Sequence, residues 1–298
     1  MTMMDGRAFA QEKLMDNAAL VLNAYYKAPL TTSRLNQKAV IVSGEETQPL
    51  LDVIDVLAEK VGGHEATQNI FAPLYMDYLA YKVAIDRGES PALLLLGADL
   101  AKADLGWDCG ACGFATCGEL TRYFKKDGGG MGRMMVGPSC AWKSLDWGIA
   151  CDYACAAAWE LNMENRIEGT MGLLAYALGY MEDVTAVMAL PLGPVTEFWY
   201  YNRPTMKDFI TPEAQAELLR NNISVHYEMF AGDLKPPMKG EGKWWERPPE
   251  YGSVGPDPEY TEFQQRNRGL MFEAVMEVRP KVEAMKKKLA SKKGKGGK

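Results

Sequence analysis

All six cysteines of this 298-residue chain lie between positions 109 and 155, and three of them crowd into Cys109-Gly110-Ala111-Cys112-Gly113-Phe114-Ala115-Thr116-Cys117. Two residues separate the first pair and four the next; 22 (118–139) then precede Cys140, and Cys151 and Cys155 follow. A tight run of three thiolates with a distant fourth sulfur suits a 4Fe-4S cube, whose irons each take one thiolate and whose corners point in different directions. Gly110 and Gly113 agree with that reading. A residue without Cβ lets backbone N–H groups approach the cluster sulfides, where hydrogen bonds help set the potential.

Three other uses of thiols compete. Structural zinc usually takes two Cys-x-x-Cys or Cys/His pairs; the second pair is missing here, and His64 and His226 are distant in sequence. Disulfides need an oxidising compartment, and no signal-peptide apolar core follows residues 1–6, so the sequence predicts reduced thiols in a cytoplasm. Free cysteines also pack as small hydrophobes. Spacing leaves the fourth ligand open. Cys140 follows the turn sequence Gly137-Pro138-Ser139, whereas Cys151 and Cys155 are four apart and share one helical face among Ile149, Ala150, Ala154, Ala156, Ala157 and Ala158. Those small apolar neighbours favour core packing over ligation.

A family resemblance emerges when the cysteines are combined with motifs further along the chain. The Cys-Gly-x-Cys-Gly-x-x-x-Cys motif, a cysteine shortly before Asp146-Trp147-Gly148-Ile149-Ala150, then Asn165-Arg166-Ile167 and Ala189-Leu190-Pro191-Leu192, is similar in content and order to a family of uncharacterised ferredoxin-domain proteins with a 4Fe-4S cluster. The similarity covers roughly residues 10–203. It implies that Cys109, Cys112, Cys117 and Cys140 are the ligands, and that Cys151 and Cys155 occupy positions that are ordinarily apolar. The chain departs from the family at Val195-Thr196-Glu197, where Gly-Lys-Asn is common, and at Tyr201-Asn202-Arg203, where Phe-Asp-Arg is common. No role attached to those positions carries over.

The length allows one large domain plus an extension, expected at 1–205 and 206–298. No apolar run reaches the eighteen or so residues of a membrane helix. The net charge of −6 hides an asymmetry: residues 279–298 hold nine Lys/Arg against Glu283, giving +8, so residues 1–278 carry −6 − 8 = −14. An acidic body suits neither nucleic acid nor an anionic membrane, and the basic end reads as a solvated, disordered tail.

Helical spacing marks residues 12–27, with Leu14, Ala18, Val21, Leu22 and Tyr25 on one side. Ala39-Val40-Ile41-Val42 reads as a buried strand, and Leu50, Ile54, Leu57 and Val61 as an amphipathic helix closed by Gly62-Gly63. Residues 73–87 form another helix before Gly88, and Leu93-Leu94-Leu95-Leu96-Gly97 a fully apolar strand just before the cysteines. Residues 118–139 include Gly128-Gly129-Gly130, a flexible loop with no Gly-Lys-Ser/Thr after it. Residues 141–161 are apolar on nearly all sides and predict a central buried helix, with Asp146 and Asp152 exposed or ion-paired, Arg133 and Arg166 being candidate partners. A helix at 168–178 and a strand at 184–190 follow. The expected class is α/β (α+β): a helix-covered sheet with an inserted cluster loop at a strand's end and a C-terminal extension.

The order Ala28-Pro29, a polar loop, Asn36-Gln37, a strand and a later buried helix of small residues is also similar to the flavin-binding nitroreductase fold. That resemblance implies FMN at a homodimer interface, with Arg34, Asn36 and Gln37 as the residues to hold it. Beyond Arg203, Thr211-Pro212-Glu213 starts a helix, residues 223–257 are rich in proline, glycine and aromatics, and a last helix spans 259–278 before Pro280. Adjacent Trp244 and Trp245 favour an arm laid on a second subunit or partner.

The functional expectation is a 4Fe-4S electron-transfer protein of an anaerobic-type cytoplasm, acting with a redox partner protein. A flavin and iron–sulfur oxidoreductase, or a non-redox module with a structural metal, are the alternatives. No Ser-His-Asp or Cys-His pairing marks a hydrolase, and no catalytic residue is assigned.

Overall fold

The computed structural model describes residue 3 and residues 5–127, 130–131, 136–193 and 258–295. Its centre is a three-stranded antiparallel sheet in the order β1-β2-β5, from β1 (Asn36–Val42), β2 (Ala92–Asp99) and β5 (Ala186–Leu192). Val42 pairs with Leu93 and Asn36 with Asp99; Ala92 pairs with Leu192 and Ala98 with Ala186. A strand between two others buries both faces, which is why β2 is apolar almost throughout. Leu93 and Leu95 point into one core; Ala92, Leu94, Leu96 and Ala98 point into the other. Pro191 is tolerated because β5 is an edge strand.

One face is covered by α2 (Leu14–Lys27) and α7 (Ala141–Glu160). The Tyr25 hydroxyl donates to the Gly97 carbonyl at 2.9 Å and the Trp147 indole to the Leu96 carbonyl at 3.3 Å, so both helices are pinned to the central strand. The other face packs α3 (Gln48–Val61), α5 (Ala72–Asp86), α8 (Gly169–Ala177) and the terminal α9 (Pro258–Lys295). Short α1 (Gly6–Glu12), a 3₁₀ turn (Gly44–Thr47) and α4 (His64–Ile70) connect these, and β3 (Gly130–Met131) pairs with β4 (Val136–Gly137). Gly62 ends α3 in the left-handed region at φ +94, the glycine stop that the sequence predicts.

Several expectations need correction. The helix predicted to be buried on all sides, α7, lies in an outer layer: Trp147, Ala150, Cys151, Ala154 and Ala158 face the sheet, while Leu145, Tyr153 and Trp159 are exposed. Strands about 4.8 Å apart make a sheet just wide enough for two helices on a face, and no further layer covers α7 among the described residues. The last helix does not stop at Pro280, and residues 281–295 are helical rather than a disordered tail. Ala274, Val275, Val278 and Val282 form a buried stripe on both sides of Pro280, packed in the core that contains Leu50, Ile54 and Leu57 of α3. Burying three valines gains more than the ~3 kcal/mol that an internal proline costs. The expected helix after Thr211, the arm at 223–257 and the 205/206 boundary lie outside the described residues.

The sheet is antiparallel, and no solved structure matches this chain. The nitroreductase-like scaffold therefore has no structural counterpart to support it. What stands is a helix-rich α/β fold around a small antiparallel sheet.

Candidate metal centre

Past the C-terminal end of β2, the chain enters the cysteine loop. Leu100, the first residue beyond the strand, is held from two sides: its N–H donates to Thr185 Oγ1 at 2.9 Å and its carbonyl accepts from the Cys140 N–H at 2.8 Å. Cys140 is thereby fixed at the N-cap of α7, beside the strand end. Its own carbonyl accepts from Ser144 N at 2.9 Å and Ser144 Oγ at 3.0 Å.

Cys117 opens α6 (Cys117–Asp127). Thr116 and Glu119 form a reciprocal cap: Glu119 N donates to Thr116 Oγ1 at 3.1 Å, and Thr116 N to Glu119 Oε2 at 3.2 Å. Glu119 also accepts from Ala115 N, and Asp108 Oδ1 accepts from Cys117 N at 2.8 Å. Thr121 Oγ1 donates to the Cys117 carbonyl and accepts from Ala103 N, which bolts α6 to the strand exit. Sequence spacing assigns no helix within residues 118–139, although Thr116-Cys117-Gly118-Glu119 is the Thr-x-x-Glu cap signal.

Between these anchors the loop turns on left-handed backbone. Gly110 (φ +72) and Gly113 (φ +85) bracket Cys112 in a turn closed by Gly113 N to Gly110 O at 2.9 Å. Glycine is required there by conformation, since an added Cβ would meet open space at both.

Cys112, Cys117 and Cys140 consequently share one cluster with Ala103, Leu105, Phe114, Leu120 and Trp142. Cys117 and Cys140 are buried and Cys112 half-buried, while Cys109 is exposed on the same loop. Trp107 meets Trp142 edge-on at 5.7 Å, and Phe114 leans on Tyr123 at 5.4 Å. Cys151 and Cys155 lie elsewhere, in the core under α2 and α7. Burial pushes both thiols up, Cys155 to about 11, with Asp152 adding to the effect and Cys155 itself also raising Cys151. Both stay protonated at neutral pH, as thiols packed in an apolar core do. Among the described residues no three His, Cys, Asp or Glu side chains converge to cage a single metal ion.

A charged network backs this loop. Lys143, one turn into α7, is fully buried, and its ammonium meets Asp104 Oδ1 at 2.6 Å; Lys102 lies 3.6 Å from the other oxygen. Burial raises Asp104, but the hydrogen bond and charge of Lys143 outweigh it and hold the carboxyl below its usual range. Asp146 is also fully buried; of its two candidate partners Arg133 lies outside the described residues, and its described partners do not include Arg166. It accepts from Thr31 N and Thr32 N at 2.8 Å each and from Thr32 Oγ1 at 2.5 Å, tying the 30–35 loop to α7. Asp152 is exposed.

The three residues considered for FMN are placed on that loop and the start of β1. Arg34 donates to the Asp104 carbonyl at 2.8 Å, Gln37 donates to the Tyr25 carbonyl at 2.5 Å, and Asn36 is exposed opposite Asp99. Behind the cysteine cluster is an open groove of about 620 Å³, whose lining includes Lys102, Asp104, Gly118, Thr121, Arg122 and Lys125; none of the three FMN candidates lines it.

Comparison with known proteins bears on this geometry. Residues 136–203 match the family described as "uncharacterized protein containing a ferredoxin domain". The matched stretch contains Cys140 and all of α7, α8 and β5, and it agrees with the resemblance read from the sequence. Cys109, Cys112 and Cys117 precede it. A protein of Archaeoglobus fulgidus, described as an uncharacterized protein, is 28% identical over 207 residues, which is 69% of this chain and 100% of the relative. No helix among the described residues is long and apolar enough to cross a membrane.

Proposed function

We propose that this chain holds one 4Fe-4S cluster on Cys109, Cys112, Cys117 and Cys140 and serves as a one-electron carrier. The supporting observation is the meeting of Cys112, Cys117 and Cys140 in one cluster, delivered by a loop and two helix N-termini, with Cys109 at the solvent edge of the same loop. When bound, a 4Fe-4S cluster supplies a site that takes or gives up a single electron. The protein's part is electrostatic and steric. Cys117 and Cys140 stand at the starts of α6 and α7, where the positive ends of the helix dipoles favour thiolates. Phe114, Leu120 and Trp142 exclude water from its inner side, and the buried Lys143 adds a fixed positive charge one turn from Cys140.

Anaerobic purification with iron, sulfide, zinc and flavin analysis tests the reading. The expected result is about four irons and four sulfides per chain, with visible absorption that bleaches on reduction. Cys140→Ser should lose the cluster and Cys151→Ser should keep it. The reverse pattern would overturn the ligand set, and zinc at about one per chain without sulfide would replace the carrier by a structural metal module. Released FMN beside the cluster would move the reading to a flavin and iron–sulfur oxidoreductase.

A further inference from the structure

Residues 1–278 of this chain sum to −14, yet one face beside the cysteine cluster carries cations. On α6, Gly118, Arg122 and Lys125 recur at i, i+4 and i+7 and share a face, with Lys126 next to them. Arg122, Lys125 and Lys126 are exposed, and no carboxylate among the described residues pairs with them. Lys102, also exposed, lines the same groove as Arg122 and Lys125.

The acids nearby are engaged. Asp104 is bound to Lys143 and Lys102, Asp99 accepts from the N–H groups of Ala101 and Lys102, and Glu119 turns back to cap its own helix. An apolar path joins this rim to the centre: Tyr123, half exposed, packs on Phe114, and Phe114 packs in the cysteine cluster.

We propose that the α6 face is the docking surface for an acidic redox protein that exchanges electrons with the cysteine centre. The inference rests on the cluster reading above and names the chemistry of its partner. Exposed cations around a small apolar patch are the makings of a transient interface, in which complementary charge governs encounter rate. A small-molecule site is not favoured, because the cations that line the groove are exposed rather than buried polar groups that would fix a ligand's orientation. A nucleic acid would have to lie along the acidic body, which repels a phosphate polymer. In the exchange, one electron leaves the partner's reduced centre and arrives at this chain's cluster, or travels in reverse; no bond forms or breaks and no proton moves.

The test uses the full chain purified anaerobically with its cluster, and a chemically reduced acidic ferredoxin of the plant type as probe. Stopped-flow mixing at about 20 mM and about 200 mM salt should show a wild-type second-order rate that falls at least tenfold as salt rises. Arg122→Glu/Lys125→Glu should lower the low-salt rate at least tenfold and flatten its salt dependence, with iron, sulfide and midpoint potential unchanged. Lys287→Glu/Lys288→Glu makes the same charge change on α9 and should leave the rate within about twofold. Unchanged exchange in the α6 variant, an equal loss in the α9 variant, or a wild-type rate indifferent to salt would each overturn the proposal. Unchanged exchange with loss of single-stranded RNA binding would overturn it in favour of a nucleic acid. Wild-type protein without iron and sulfide is a failure of the cluster reading itself, visible before any mixing.

Discussion

Lys143 and Asp104 show how one residue pair ties the loop to the scaffold. The ammonium is fully buried and the carboxylate about a third exposed, so the lysine depends on its partner more than the aspartate does. Because Asp104 titrates below its ordinary value in the folded chain, it binds fewer protons there than when unfolded. Its stabilisation is therefore present above the unfolded value near pH 4 and is lost as pH falls through the lower folded value. Lys143→Met removes the two largest lowering influences on Asp104 and leaves only a backbone hydrogen bond and Lys102 to act against burial. The urea midpoints of wild type and variant, followed from pH 6 to about pH 2.5, should converge on acidification, because only wild type has this term to lose. Parallel profiles would show that the pair is not coupled to folding. Among residues, the cysteine positions and the glycines between them were legible in the sequence. The partners of Asp146 were not: a buried carboxylate announces that it needs donors, but two of its three are backbone N–H groups 114 and 115 positions away, and the third, the Thr32 hydroxyl, arrives with that same loop.

At the scale of elements, the sequence carried most of the order and missed what depends on local caps and close approach. The apolar run at Leu93-Leu94-Leu95-Leu96 marked β2, and the glycine stops marked the ends of α3 and α5. It missed α6, an eleven-residue helix that is polar overall, although Leu120, Tyr123 and Phe124 fall at helical spacing and Thr116-x-x-Glu119 is a cap signal. The helical run at 12–27 is interrupted at Lys13, which caps both α1 and α2. Gly172 is another feature that spacing cannot show. A Cβ there would stand 2.3 Å from the Val187 carbonyl oxygen and 2.8 Å from Met188 Cα, so α8 rests directly on the backbone of β5. Backbone cannot yield as a side chain can. Gly172→Ala should therefore push α8 off the sheet and destabilise by about 1–3 kcal/mol or more. Gly97→Ala meets the end of the Met181 side chain at 2.8 Å, which can rotate away, and should cost less. Equal melting temperatures for the two variants would contradict the close approach of α8 to β5.

For the whole molecule, the question is whether the C-terminal helix is an appendage or part of the core. The composition shift after Arg203 made the sequence read as a domain followed by an extension, because proline and glycine runs announce a boundary while a later helix gives no sign of where it docks. In the structure Ala274, Val275, Val278 and Val282 close the face of the sheet opposite α7, in one core with Leu50, Ile54 and Leu57. A helix that completes a core stabilises the remainder of the fold, including the strand end that holds Leu100 and Cys140. Val278→Asp would leave an unpaired carboxylate in that core and should destabilise by about 3 kcal/mol or more. Met276→Asp, two residues away and half exposed, should change the melting temperature little. The contrast separates the two architectures. If α9 is an appendage, both variants melt with wild type; if it closes the core, only Val278→Asp falls, and the protein made without residues 258–298 should fail to accumulate as a folded chain.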